Sequence, residues 1–93
     1  MNLEALRQAL APLLHATPFA GNAWFAGGCV RDYLLHLAGE LYGDVVITVE
    51  LPQGGIKLAE HLQTSWHADK PILHPEFFTA SLTWRGLHLE LLS

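Results

Sequence analysis

Cysteine occurs once in these 93 residues, at Cys29, so no internal disulfide can form. That usage agrees with a reducing compartment, and a cytoplasmic location is expected. Cations are almost as scarce. Five Lys and Arg against nine Asp and Glu leave a formal net charge of −4. Sequence-independent nucleic-acid binding rests on a basic face that displaces counterions, and five cations make little of one. If the chain works on a polynucleotide, most of the grip comes from elsewhere. No apolar run approaches the ~18 residues of a membrane span, because Arg31, Asp32, Glu40 and Asp44 interrupt the best stretches. The start, Met1-Asn2-Leu3-Glu4, has no basic segment of the kind that opens an export signal. There is no Gly-x-Ser-x-Gly elbow, so serine-hydrolase chemistry has no support. His61, His67, His74 and His88 lack zinc-type spacing; only His88 falls near an acid on the same expected strand face. Repeats, low-complexity stretches and long linkers are absent too.

What is present is apolar. Hydrophobic residues make up 51% of the chain, too many for a disordered tail and enough for one small domain spanning 1–93. Leu3, Leu6, Leu10, Leu13 and Leu14 recur at helical spacing, predicting a packing helix over 3–15. Asn2 is its expected N-cap, and Pro12 is expected to kink or restart it. Thr17-Pro18 and Gly21-Asn22 read as turns. Residues 23–26 read as a short buried strand, 29–38 as a helix ended by Gly39, 45–49 as a strand, 52–55 as a loop and 56–64 as a helix. Residues 66–73 add a weak strand that Pro71 demotes. Trp24, Trp66 and Trp84 are expected in the core.

The C-terminal end alternates cleanly. Residues 78–84 and 87–91 flank the two-residue connection Arg85-Gly86, a hairpin pattern. That loop length pairs Trp84 with Leu87, Leu82 with Leu89 and Ala80 with Leu91 on one apolar face. Thr83 with His88 and Ser81 with Glu90 then share the polar face. The element order predicts an α+β (mixed α/β) fold, a small mixed sheet with a C-terminal hairpin and helices packed on one face.

Three short segments bear on chemistry. Gly27-Gly28-Cys29-Val30-Arg31-Asp32 falls between a strand and a helix, where glycines allow close backbone approach and a helix N-terminus favours an anion. A tight strand-to-helix turn is the plainer reading of the glycines alone, since neither a P-loop nor a dinucleotide fingerprint follows them. Cys29 there is a small packing residue or a thiol of lowered pKa. Asp44 opens a strand, where a carboxylate is often a cap. Glu90 is mid-strand, where it can simply face solvent.

In this order the segments resemble the head domain of the CCA-adding tRNA nucleotidyltransferase and bacterial poly(A) polymerase family. The carrying residues are Trp24-Phe25-Ala26-Gly27-Gly28-Cys29-Val30-Arg31-Asp32-Tyr33-Leu34-Leu35, Gly43-Asp44-Val45-Val46-Ile47-Thr48, His74-Pro75-Glu76-Phe77-Phe78-Thr79-Ala80 and Leu89-Glu90-Leu91. The resemblance implies a nucleotidyltransferase-like fold with a nucleotide loop at Gly27, Gly28, Arg31 and Asp32. It implies catalytic, metal-binding carboxylates at Asp44 and Glu90, a Mg²⁺ requirement, a nucleoside triphosphate substrate and an RNA with a tRNA-like 3′ end as partner. In the family, two carboxylates at i and i+2 of one strand and a third from a later strand hold two metal ions. Alternation along a strand sends such a pair to one face.

Here the match is partial. Val46 occupies the second carboxylate position, and Glu76 and Phe78 stand where a basic residue and a glycine are usual. The helical neck, body and tail of the family have no counterpart in the sequence. The resemblance therefore implies a truncated head domain, weakly active or inactive in nucleotide transfer. The alternative is a non-enzymatic nucleotide-binding or regulatory module that oligomerises or pairs with a helical partner subunit. A third reading is a relic with no function of its own.

Overall fold

A computed structural model of the chain describes residues 2–26 and 44–93. Helix α1 spans Leu3–Leu14. Asn2 caps it as expected, its Oδ1 accepting from the Ala5 N–H at 2.8 Å. Pro12 neither splits nor restarts the helix, which continues to Leu14. The proline lies in the last turn, and the His15 N–H still reaches the Ala11 carbonyl at 3.1 Å. Leu6 and Leu10 are its buried stripe. The turn after α1 is closed by Thr17, whose Oγ1 donates to the Leu14 carbonyl at 2.6 Å.

Strand β1 (Ala23–Ala26) runs antiparallel to β2 (Asp44–Val49). Helix α2 follows over Gly54–Trp66, longer at both ends than the predicted 56–64. Gly54 and Gly55, read as loop because glycine weakens helices, are buried first-turn residues. A Cβ on Gly55 would lie 2.4 Å from the Leu91 carbonyl oxygen, so only glycine lets the helix start this close to the sheet. Strand β3 is Ile72–His74, beginning directly after Pro71. The weak strand expected at 66–73 is displaced, because Trp66 closes α2. A 3-10 turn over Pro75–Phe77 leads to β4 (Thr79–Trp84) and β5 (Leu87–Leu92). Phe78 was expected to open β4. It instead ends the turn in the left-handed region, at φ 55°.

The five strands form one mixed sheet in the order β1-β2-β5-β4-β3, in which only β2 and β5 run parallel. The β4–β5 hairpin has the predicted register: Trp84 with Leu87, Thr83 with His88, Leu82 with Leu89, Ser81 with Glu90 and Ala80 with Leu91. Arg85 (φ 49°) and Gly86 (φ 78°) both take the left-handed conformation that a tight two-residue hairpin needs. One sheet face carries Val45, Ile47, Val49, Ala80, Leu82, Leu89 and Leu91, all buried. These residues form a single core with Leu6 and Leu10 of α1 and Leu58, Ala59 and Leu62 of α2. The α+β reading, with helices on one face of a small mixed sheet, thus holds. At one end, Trp66 and Trp84 stack at 3.8 Å between centroids with planes 10° apart. The Arg85 guanidinium lies 4.7 Å above the Trp84 ring. Trp24 departs from expectation. It is 48% exposed, because it pairs with Thr48 on the face away from the helices.

Candidate active face

Strand alternation divides the sheet residues between two faces. Opposite the core, the open face takes positions 44, 46 and 48 of β2, 88 and 90 of β5, and 79, 81 and 83 of β4. The parallel register sets Asp44 beside His88 and Val46 beside Glu90. Asp44 and Glu90, on strands that are neighbours in the sheet but far apart in the sequence, therefore take positions on the same face. This pairing depends on a long crossover through α2, β3 and β4, which the local pattern of β2 does not encode.

Glu90 is the best-defined acid on that face. Its side chain is 31% exposed and that of His88 40%, with His88 Nε2 3.5 Å from Glu90 Oε1. From the neighbouring strand, the Ser81 hydroxyl lies 3.3 Å from Glu90 Oε1 and 3.2 Å from Oε2, donating to the carboxylate. The polar face expected of the hairpin is thus a connected group. His61 is a packing histidine: its Nε2 lies 2.8 Å from the Leu13 carbonyl, and its ring sits 5.6 Å from Phe19. Among the described residues, no group of three or more His, Cys, Asp or Glu is arranged to hold a metal ion. None of the described helices is long and apolar enough to cross a membrane.

Gly27, Gly28, Arg31 and Asp32, with Cys29 and the helix predicted over 29–38, lie outside the described residues. The residue that sequence reasoning misplaced is Trp24. In Ala23-Trp24-Phe25-Ala26 every side chain is apolar, so no polar residue marks the outer face. Only its partner Thr48 reveals it.

The donor chemistry of the face can be compared with what magnesium requires. Mg²⁺ prefers oxygen ligands in near-octahedral geometry and keeps several waters. Two carboxylate positions, 44 and 90, suit one such ion. Val46, beside Glu90, offers no oxygen ligand.

A mixed five-stranded sheet with helices over one face matches a nucleotidyltransferase-like fold. Solved structures agree. The chain is similar to a tRNA nucleotidyltransferase solved with a primer tRNA and an incoming ATP analogue, at 37% identity and a TM-score of 0.63 over 76% of this chain and 19% of that one. It is similar to a tRNA-processing enzyme solved as "complex 3", at 32% identity and a TM-score of 0.69 over 89% of this chain and 20% of that one. An apo form of a tRNA-processing enzyme matches at 31% identity and a TM-score of 0.73 over 97% of this chain and 22% of that one. The chain is thus a structural relative of the tRNA nucleotidyltransferases, resembling their head domain, and it spans about a fifth of the length of these structures. No family model and no curated protein matches it.

Proposed function

We propose that this chain is a single head domain of the tRNA CCA-adding or poly(A) polymerase type that binds a nucleoside triphosphate and has lost most of its transfer activity. The observation that carries the reading is the parallel β2–β5 register, with Asp44 and Glu90 on one open face and Val46 between them in the pattern. Gly27, Gly28, Arg31 and Asp32 are read from the sequence as the nucleotide loop, a segment type whose backbone N–H groups and arginine would suit phosphate. Asp44 and Glu90 are the residues that would hold Mg²⁺, and the Ser81 hydroxyl donates to the Glu90 carboxylate. When bound, the ion stabilises negative charge on phosphate oxygens. The RNA partner, with a tRNA-like 3′ end, meets an acidic chain and so depends on contacts beyond this domain. The missing ligand at Val46 costs roughly three or more powers of ten in rate if it removes several kcal/mol of transition-state stabilisation.

A second reading is favoured by a specific surface. Ile72, Leu73, Phe77 and Phe78 are each exposed along β3 and the following turn. Exposed apolar side chains of this kind suit a non-enzymatic nucleotide-binding module that pairs with another subunit. Nucleotide incorporation into a tRNA lacking its 3′ end, with Mg²⁺ and each triphosphate, separates the two. Trace incorporation with a triphosphate-dependent rise in Tm supports the first reading. Robust turnover by the 93-residue chain removes the inactive one. A Tm indifferent to every triphosphate removes nucleotide binding from both.

A further inference from the structure

Strand β3 closes one edge of the sheet, paired with β4 and, among the described residues, with no strand on its other side. The hairpin register fixes which of its backbone groups are free. Trp84 and Leu87 close a two-residue turn as a hydrogen-bonded pair, so Ala80, Leu82 and Trp84 turn their backbone groups to β5. Thr79 and Ser81 turn theirs the other way, to His74 and Ile72 of β3. Leu73, between those two, therefore presents its N–H and C=O outward. A sheet edge with such groups free is a template for another strand. The side chains along it are apolar and in water. Ile72 is 64% exposed and Phe77 71%, and Leu73 and Phe78 are exposed as well.

The sequence about Leu73 says which strand fits. Lys70 and Glu76 each lie three positions from Leu73, and Pro71 and Pro75 each lie two. Antiparallel pairing of two copies about a two-fold axis at Leu73 sets Lys70 toward the partner's Glu76 and Glu76 toward the partner's Lys70. Both side chains are exposed and free to reach across the axis. The same axis sets Pro71 toward the partner's Pro75. Proline has no N–H, so no backbone donor is left unanswered at either end. A foreign strand is not held to this symmetry, whereas a second copy of the chain meets it automatically. The prolines also confine the pairing to Ile72–His74, so the contact is short.

We propose that two copies of this chain associate through β3, antiparallel about Leu73, joining their sheets edge to edge in a weak two-fold dimer. The inference deepens the reading of a module that pairs with another subunit, and it names that subunit as a second copy. It uses none of the residues assigned to nucleotide or cation.

The test is sedimentation equilibrium of the whole chain from about 10 µM to 1 mM, the range expected of a small interface. The mean mass is expected to rise from one chain toward two. Glu76→Lys and Lys70→Glu are each expected to weaken the dimer about tenfold, because the two-fold axis turns two attractions into two repulsions. The double variant is expected to recover affinity to within about threefold of the wild type. Both positions are exposed, and the two single variants test the contact separately should one fold poorly. Amide exchange supplies a second readout. The Leu73 N–H is expected to gain protection with concentration, while those of Ile72 and His74, turned to β4, are protected throughout. A single-chain mass up to 1 mM overturns the proposal. So does a dimer indifferent to both charge changes, a swap that restores nothing, or association with Leu73 exchange unaltered; these last three place the contact on another surface. A triphosphate-dependent Tm, measured in parallel on the Glu76→Lys chain, keeps the two readings apart. Its retention with the dimer weakened leaves nucleotide binding intact, and its absence in a chain that still dimerises removes nucleotide binding alone.

Discussion

Val46 and Glu90 are direct neighbours across the parallel β2–β5 pair, so a valine and a carboxylate share the open face where an acid pair would bind metal. Replacing that valine by aspartate is expected to raise Mg²⁺ affinity about tenfold or more, an effect of ~1.4 kcal/mol. Without metal, the added charge beside Glu90 is expected to lower Tm by a few degrees, through like-charge repulsion of about 1 kcal/mol or less. Magnesium should restore it. Calorimetry and paired thermal melts with and without Mg²⁺ check both halves. Unchanged affinity would mean that position 46 is not what limits metal binding.

Gly55 marks the closest approach of helix to sheet. An alanine methyl would press on the Leu91 backbone, with its Cβ 2.4 Å from the carbonyl oxygen and 2.8 Å from the carbonyl carbon. Backbone cannot swing away as a side chain can, so Gly55→Ala is expected to destabilise by about 1–3 kcal/mol. In a domain of this size that is roughly 4–8 °C in Tm per kcal/mol. Urea melts give the free energy, and a wild-type midpoint would contradict the packing described.

Phe78 holds a conformation that favours glycine, at φ 55°, with its ring 53% exposed. The ring therefore gains little burial to offset a left-handed backbone that costs about 1–2 kcal/mol. Its carbonyl is held by the Ser93 hydroxyl at 2.9 Å, which keeps the turn in place. Phe78→Gly is expected to leave Tm equal or slightly raised, the gain partly offset by the roughly 0.5–1 kcal/mol entropic cost of glycine. Phe78→Val, β-branched in the same region, is expected to lower it. A destabilised glycine variant would show that the ring contributes packing after all.

Acid sensitivity at the first turn of α1 has a clear sign. The hydrogen bond from the Arg7 guanidinium, foremost, holds the Glu4 carboxyl below its ordinary pKa. A carboxylate with a lowered folded pKa stabilises above its unfolded value, and that contribution is lost as pH falls through the folded value. The side chain is exposed, so the effect is small. Glu4→Gln is expected to show a slight Tm deficit at neutral pH that closes once pH drops through the lowered Glu4 value. A deficit that persists in acid would assign it to helix packing.

The hairpin was readable because alternation, loop length and turn residues agreed. Ser81 opposite Glu90 and Thr83 opposite His88 follow from counting outward from Arg85-Gly86. The N-cap at Asn2 was readable for a similar local reason. Pairings across the crossover were not. Nothing in Asp44-Val45-Val46-Ile47-Thr48 specifies β5 as its neighbour, because the partner strand follows only after α2, β3 and β4 in the chain. The start of α2 was hidden because Gly54 and Gly55 carry a poor helix propensity that close packing against Val49 and Leu91 overrides. Within the site, Asp44 and Glu90 came from family resemblance. Their shared face came from the register, and the His88 contact from side-chain geometry.

The parallel indoles of Trp66 and Trp84 carry a practical consequence. Transition dipoles this close and this aligned couple, so the pair should produce an exciton band in circular dichroism that neither ring produces alone. One ring belongs to the last turn of α2 and the other to the end of β4. The band therefore reports the docking of the helix end onto the hairpin, while Trp24, on the other surface, offers emission sensitive to whatever settles there.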